Sequence, residues 1–223
     1  MQLGGAVKKI LVVSVHPDDE TLGCGGTLLR HRAEGDETHW MIVTEVGNDA
    51  MKLQRAGQIE QVRQAYGFTD IHALNFPTTC LDQLATGQLV GAIAKVVATV
   101  APEVIYLPFV YDIHSDHRIV FEAAYSCTKV FRYPSVRRVL MMETMSETDF
   151  SPAIPGQGFM PNVFVDIEDH LEKKLNIARI YENEMGEHPF PRSLEGQRAL
   201  AVVRGAAAGC QYAEAFMLLK EIW

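Results

Sequence analysis

Short β-branched runs alternate with longer helical patterns through the first 144 residues, and this alternation narrows the fold more than any other feature of the chain. Lys9 to Val15 reads as a buried strand, and Thr27 to Ala33 lies inside the helix that follows it. His39 to Thr44 gives strand two, Lys52 to Tyr66 a helix that stops at Gly67, and Ile71 to Phe76 strand three. A third helix covers much of Leu81 to Val100. Pro102 then precedes "EVIYLP", strand four, and "HRIVFEAAYSCTKVF" reads as a helix before strand five at "VRRVLMME". Parallel strands need crossover connections, so this order predicts a mostly parallel sheet with helices on both faces.

After Thr144 the rhythm changes. The stretch "MSETDFSPAIPGQGFMPN" is rich in Ser, Pro and Gly and reads as a lid-like loop over 145–162. An edge strand "VFVDI" follows, then a helix from Leu171 to Glu184, and the tail from Leu194 to Trp223 reads as two more helices separated near "AAAGCQ". The expected fold is α/β: a Rossmann-like, doubly wound sheet with a C-terminal helical extension. The expected organisation is one domain over 1–223, with a core at 8–144 and a C-terminal strand and helices at 163–223.

Composition matters chiefly for what it excludes. A formal charge of −8 repels phosphate on average, which argues against nucleic acid as a partner and in favour of a small molecule. Four separated cysteines form no CxxC pair, so they suggest neither a sulfur-based metal site nor a disulfide framework. The start of the chain shows no secretory pattern, and no run approaches the roughly 20 apolar residues of a membrane span. A cytoplasmic protein without a membrane span is expected, with self-association into a homo-oligomer left open.

Charge is crowded at two places. "HPDDE" puts His16, Asp18, Asp19 and Glu20 just beyond strand one, and "DIHSDHR" puts Asp112, His114, Asp116 and His117 just beyond strand four. Strands one and four are neighbours in sheets of order 3-2-1-4-5, where ligands bind beyond the carboxyl ends, so the two clusters are expected to share one crevice. Adjacent carboxylates repel unless something positive sits among them. His16 and Asp19 are three apart, so one turn can aim both at a point while Asp18 leaves in another direction. His114 and His117 are likewise three apart around a helix start. Together they offer a His, Asp, His site suited to catalytic zinc, and the same donors suit Fe²⁺ or another divalent metal.

The sequence resembles the LmbE-like, or PIG-L, family of zinc-dependent de-N-acetylases through "HPDDE" followed by "GCGGT", through "HSDHR", and more loosely through "RAGQ" and "YAEAF". The resemblance implies that His16, Asp19 and His117 bind Zn²⁺ and that Asp18 is the general base. It also implies that His114 is an electrophilic or acid partner oriented by Asp116. Arg55 corresponds to a position where the family has an arginine in the substrate pocket, usually with Glu three residues later; here Gln58 stands instead. Asp112 is expected to orient loop groups or bind a substrate hydroxyl.

Hydrolysis of an acetamide needs a nucleophilic water, stabilisation of an oxyanion and a proton for the leaving amine, which these residue types can supply. The expected function is removal of acetate from an N-acetylated amino sugar of the GlcNAc type or its conjugate, with a sugar nucleotide or polysaccharide precursor preferred. Hydrolysis of another bond such as a phosphoester, and non-catalytic sugar binding, are the alternatives. His188 and Arg192 in "GEHPFPRS", and the loop 145–162, are further candidates for contact with substrate.

Overall fold

A computed structural model of the chain describes residues 7–45, 47 and 49–223; residues 1–6 of the expected domain lie outside the described residues. The sheet consists of β1 (Lys9–Ser14), β2 (Glu37–Glu45), β3 (Asp70–Pro77), β4 (Val104–Leu107), β5 (Arg138–Met142), β6 (Val163–Asp166) and β7 (Ala213–Glu221). Its spatial order is β3-β2-β1-β4-β5-β7-β6. The first five strands pair in parallel, while β7 runs antiparallel to both β5 and β6. The helices are α1 (Asp19–Glu34), α2 (Asp49–Tyr66), α3 (Thr86–Val100), α4 (Ser115–Ser126), α5 (Leu171–Ala178) and α6 (Leu194–Ala208). None of the described helices is long and apolar enough to cross a membrane.

Successive strand residues face opposite ways, and β1 is buried on both sides, which explains its unbroken apolar run. Leu11, Val13 and Val15 pack with Met41 and Val43 against Ile93, Val97 and Val120 of α3 and α4. Ile10 and Val12 pack with Trp40 and Ile42 against Leu28, Val62 and Ile177 of α1, α2 and α5. From β1 the chain winds outward through β2 and β3, then crosses back to lay β4 on the other side of β1, with Ile105 opposite Leu11. The crevice expected at such a reversal opens beyond the carboxyl ends of these two strands.

The tail departs from its expectation. Of the two helices expected after Leu194 only α6 forms, capped by the Ser193 hydroxyl, which accepts from the Gly196 N–H, and ended by Gly209 at φ 76°. The second segment is β7, inserted between β5 and β6. Its Ala, Leu, Met, Glu and Lys suit a helix by propensity, but propensity is weak, and β5 and β6 each offer it a row of backbone partners. The returning chain passes so close to α6 that a Cβ on Gly205 would lie 2.6 Å from the Gln211 carbonyl oxygen. The helix expected over Leu171–Glu184 also stops early, at Ala178, and residues 179–184 continue as turns that carry Glu184 to the crevice.

α1 is broken at Cys24, where φ −148° and ψ 21° leave the helical region. The break exposes new helix N-terminal donors at Gly26 and Thr27. Glu214 of β7 accepts both, at 2.9 and 2.7 Å, and pairs with Lys174 at 2.7 Å. A Cβ on Gly23 or Gly26 would come within 2.8 Å of Met142 or Ile167. These glycines therefore let α1 lie close against the sheet, and the turn at its start is anchored from behind.

Candidate active site

The turn after β1 is built by its own carboxylates. Asp19 Oδ2 accepts from the backbone N–H groups of Val15 and His16, each at 2.8 Å, which closes the turn. Asp18 caps α1 at φ 140°, a region that side-chain-bearing residues rarely adopt and that persists only where the surroundings over-determine it. Glu20 supplies part of that hold. It is fully buried, accepts from the Asp18 N–H at 3.2 Å and takes hydroxyl donors from Ser14, Thr21 and Tyr181. Burial pushes its pKa up to about 7 against the opposing pull of the Thr21 and Tyr181 hydroxyls.

The second cluster enters at the start of α4. His117 Nε2 lies 3.4 Å from His16 Nδ1 and 3.5 Å from Asp19 Oδ2, so the sequence-expected triad converges. His16, Asp19 and His117 bring one potential ligand atom each within 4.8 Å of one another. Each imidazole has a carboxylate behind it. His117 Nδ1 is 2.8 Å from Asp112 Oδ2, and His16 Nε2 is 3.7 Å from Asp116 Oδ2, which also accepts from the Thr79 N–H at 2.7 Å. Two imidazole nitrogens and a carboxylate oxygen converging in this way suit a divalent first-row cation. The overlapping set His16, His114 and Asp116 also brings its ligand atoms within 4.8 Å of one another, and so does the remote set His31, Glu34 and Asp36. In the remote set both His31 ring nitrogens are already taken, by Asp36 and Tyr106.

Asp112 requires a correction. Of its two expected roles, orienting loop groups or binding a substrate hydroxyl, the second fails: it is fully buried and both its oxygens are committed, Oδ2 to His117 and Oδ1 to the Thr148 hydroxyl at 2.6 Å. Its place is behind the imidazole, which it orients. Carboxylates in that position typically change metal affinity 10–100-fold. Asp112→Asn, which keeps the shape and loses the charge, is therefore expected to weaken metal binding by about 10–100-fold in a chelator-competition titration. Unchanged affinity would refute that role.

The electrostatics of the cluster separate its members. Burial opposes a charged His117, but the carboxylates of Asp19 and Asp112 outweigh it and push the pKa up to about 9. Burial and the adjacent Asp19 raise Asp18 well above the usual carboxylate range, with the Arg192 guanidinium pulling the other way. His114 is lowered by partial burial and by the imidazoles of His16 and His117. Its Nδ1 accepts from the Asp116 N–H at 3.1 Å, so Asp116 orients it through the backbone and the ring proton belongs on Nε2.

A cavity of about 220 Å³ opens over these groups. His16, Asp18, Asp19, His114 and Arg55 line it, as do Ser146 and Glu147 of the loop after β5. Two of its charged residues, Glu45 and Glu184, were not singled out from sequence, whereas Arg192 and the loop that carries Glu147 were candidates for contact with substrate. Arg192 Nη1 lies 3.0 Å from Asp18 Oδ2 and 3.3 Å from Glu184 Oε2, and Glu184 Oε1 is 2.5 Å from Arg55 Nη2. This ion chain ties the strained turn to α2 and to the segment before α6. Gln58, standing where the family usually has Glu, bonds the Ile180 carbonyl oxygen from α2 at 3.0 Å. His188 is exposed and does not line the cavity. The Pro-rich loop has no periodicity from which the aim of Arg192 could be read.

Residues 11–128 match the sequence model of the family described as "PIG-L: GlcNAc-PI de-N-acetylase", a span that includes both clusters. The diacetylchitobiose deacetylase of Thermococcus kodakarensis is 27% identical over 233 residues, covering 97% of this chain and 85% of that protein. The solved N,N'-diacetylchitobiose deacetylase of Pyrococcus horikoshii superposes with a TM-score of 0.78 at 21% identity, covering 96% of this chain and 85% of that one. The 4-carboxy-2-hydroxymuconate hydratase of Pseudomonas putida superposes nearly as well, at a TM-score of 0.76 and 18% identity over 97% of this chain and 98% of that one. A deacetylase and a hydratase thus share this fold, and the structural likeness speaks for the fold alone.

Proposed function

This chain belongs to the PIG-L family, and from that premise we propose that it is a zinc-dependent hydrolase that removes the acetyl group from an N-acetylated amino sugar or its conjugate. The observation that carries the reading is the convergence of His16, Asp19 and His117 beside an Asp18 that points elsewhere and is itself buried. In this reading His16, Asp19 and His117 hold the cation. Zinc held there would supply a Lewis acid that lowers the pKa of water and offsets negative charge on an acetamide oxygen.

The chain's own residues perform the remaining work. Asp18 takes the proton from the attacking water, and its raised pKa lets it retain that proton and pass it to the departing amine. His114, neutral with its proton on Nε2 because its Nδ1 is an acceptor, donates to the acetamide oxygen. Arg192 holds the Asp18 carboxylate in place, and Arg55, steadied by Glu184, faces the sugar.

The direct test is acetate release from zinc-loaded protein across free N-acetyl sugars, their glycosides and their nucleotide conjugates. Acetate from at least one of these is expected. Fully metallated protein that binds them and releases none would overturn the reading.

The charge on His117 gives a second check. Its folded pKa, about 9, lies above the ordinary histidine value, so the proton stabilises the metal-free fold fully below about pH 6.5 and ceases to do so as pH rises through about 9. A cation must displace that proton. Metal affinity is therefore expected to rise about ten-fold per pH unit from pH 7 to about 9 and then level off, measured by chelator competition. An affinity independent of pH over that interval would contradict the assignment of His117 as a ligand.

A further inference from the structure

Beyond Arg55, a second cavity of about 260 Å³ runs between α2 and the ends of β2 and β3. It shares Pro17, Thr44, Glu45 and Arg55 with the first cavity, so the two meet along a common wall. Its own lining is different in kind: Ile42, Ala56, Ile59 and Ala73 make it mainly apolar. A ligand whose acetamide lies beside His16 and Asp18 can extend into it past Arg55.

The charges on its walls decide what kind of group fits. Lys52 is paired with Glu45 at 3.0 Å and Arg55 with Glu184 of the first cavity at 2.5 Å, while the second carboxylate of this lining, Glu60, is paired with Arg63. A diphosphate entering here has to compete with carboxylates already holding both lining cations, and it brings like charges close to Glu45 and Glu184. An uncharged apolar group meets no such opposition and gains by leaving water.

We propose that this second cavity is a subsite for an uncharged, apolar aglycone, so that the substrate is a glycoside of the N-acetylated amino sugar and not a nucleotide diphosphate conjugate of it. This rests on the deacetylase reading of the first cavity, and of the two substrates preferred from sequence, a sugar nucleotide or a polysaccharide precursor, it sets aside the nucleotide.

The test compares free N-acetylglucosamine, its phenyl glycosides in both anomers, and UDP-N-acetylglucosamine, by acetate release and by equilibrium binding to zinc-loaded protein. At least one phenyl glycoside is expected to exceed the free sugar about ten-fold in kcat/KM and in affinity, which corresponds to about 1.4 kcal/mol, with the nucleotide below both. Ala73→Trp and Ala56→Trp each fill the groove from an exposed position. In either variant the ratio of phenyl glycoside to free sugar is expected to fall to within about two-fold. Preference for the nucleotide, or a phenyl advantage that survives both substitutions, overturns the subsite. If no compound yields acetate, the deacetylase reading fails, and the binding ratios still decide for or against the apolar subsite.

Discussion

Asp18→Ala is expected to lower turnover by about 10²–10⁴-fold while leaving the metal content at the wild-type level, the range typical of losing a positioned general base. Asp18 lines the cavity, and its carboxylate meets Arg192, while the converging set beside it is His16, Asp19 and His117. His117→Ala is expected to give the opposite pattern, loss of bound metal first and of activity as its consequence. Metal analysis and acetate release on the same two preparations distinguish them, and the assignment collapses if Asp18→Ala empties the site while His117→Ala remains loaded. Asp18→Asn adds a control for the strained backbone, since it preserves the shape of the capping residue at φ 140° and removes the charge that serves as base and pairs with Arg192.

Lys174→Met is expected to destabilise the protein by about 3–5 kcal/mol, because it strips the partner from a buried carboxylate. Lys174 and Glu214 are both nearly inaccessible, at 5% and 6%, and the ammonium also donates to the Leu22 carbonyl oxygen at 3.2 Å. With Lys174 gone, Glu214 keeps the two N–H donors at the break in α1 but faces them as an unpaired charge. Denaturant unfolding of the metal-free variant gives the value. A loss below about 1 kcal/mol would mean that those two donors alone compensate the carboxylate. The effect reaches the site, since the first turn of α1 carries Asp19 and is pinned from behind by this pair.

The sheet order around β1 was legible because β1, β2 and β4 are buried on two faces and are therefore spelled as short continuous apolar runs. The last strand was not legible. "YAEAFMLLKEIW" contains good helix formers, and what makes Ala213–Glu221 a strand is the pair of backbone edges between which it lies, a fact about β5 and β6 and not about its own residues. The metal-ligand candidates were legible for a related reason: spacing by three within one turn aims side chains locally, and strand adjacency did the rest.

Asp112 shows where local reasoning stops. Its sequence position beside His114 and His117 gave no sign that Thr148, 36 residues later, would occupy its second oxygen and leave none for substrate. Glu184, and the pairing of Arg192 with Asp18, were out of reach for the same cause, because both residues lie on irregular segments whose direction is set only by the early end of α5 and the cap of α6.

Sequence by itself thus determined the parallel core, the crevice and the residues that converge in it, since hydrophobic period and short-range spacing are properties of neighbouring residues. Tertiary structure alone decided which carboxylates stand behind the imidazoles, which ion pairs close the cavity around Asp18, and where the apolar groove beyond Arg55 opens. Those are meetings between elements far apart in the chain, fixed by packing and by the need to satisfy buried charge.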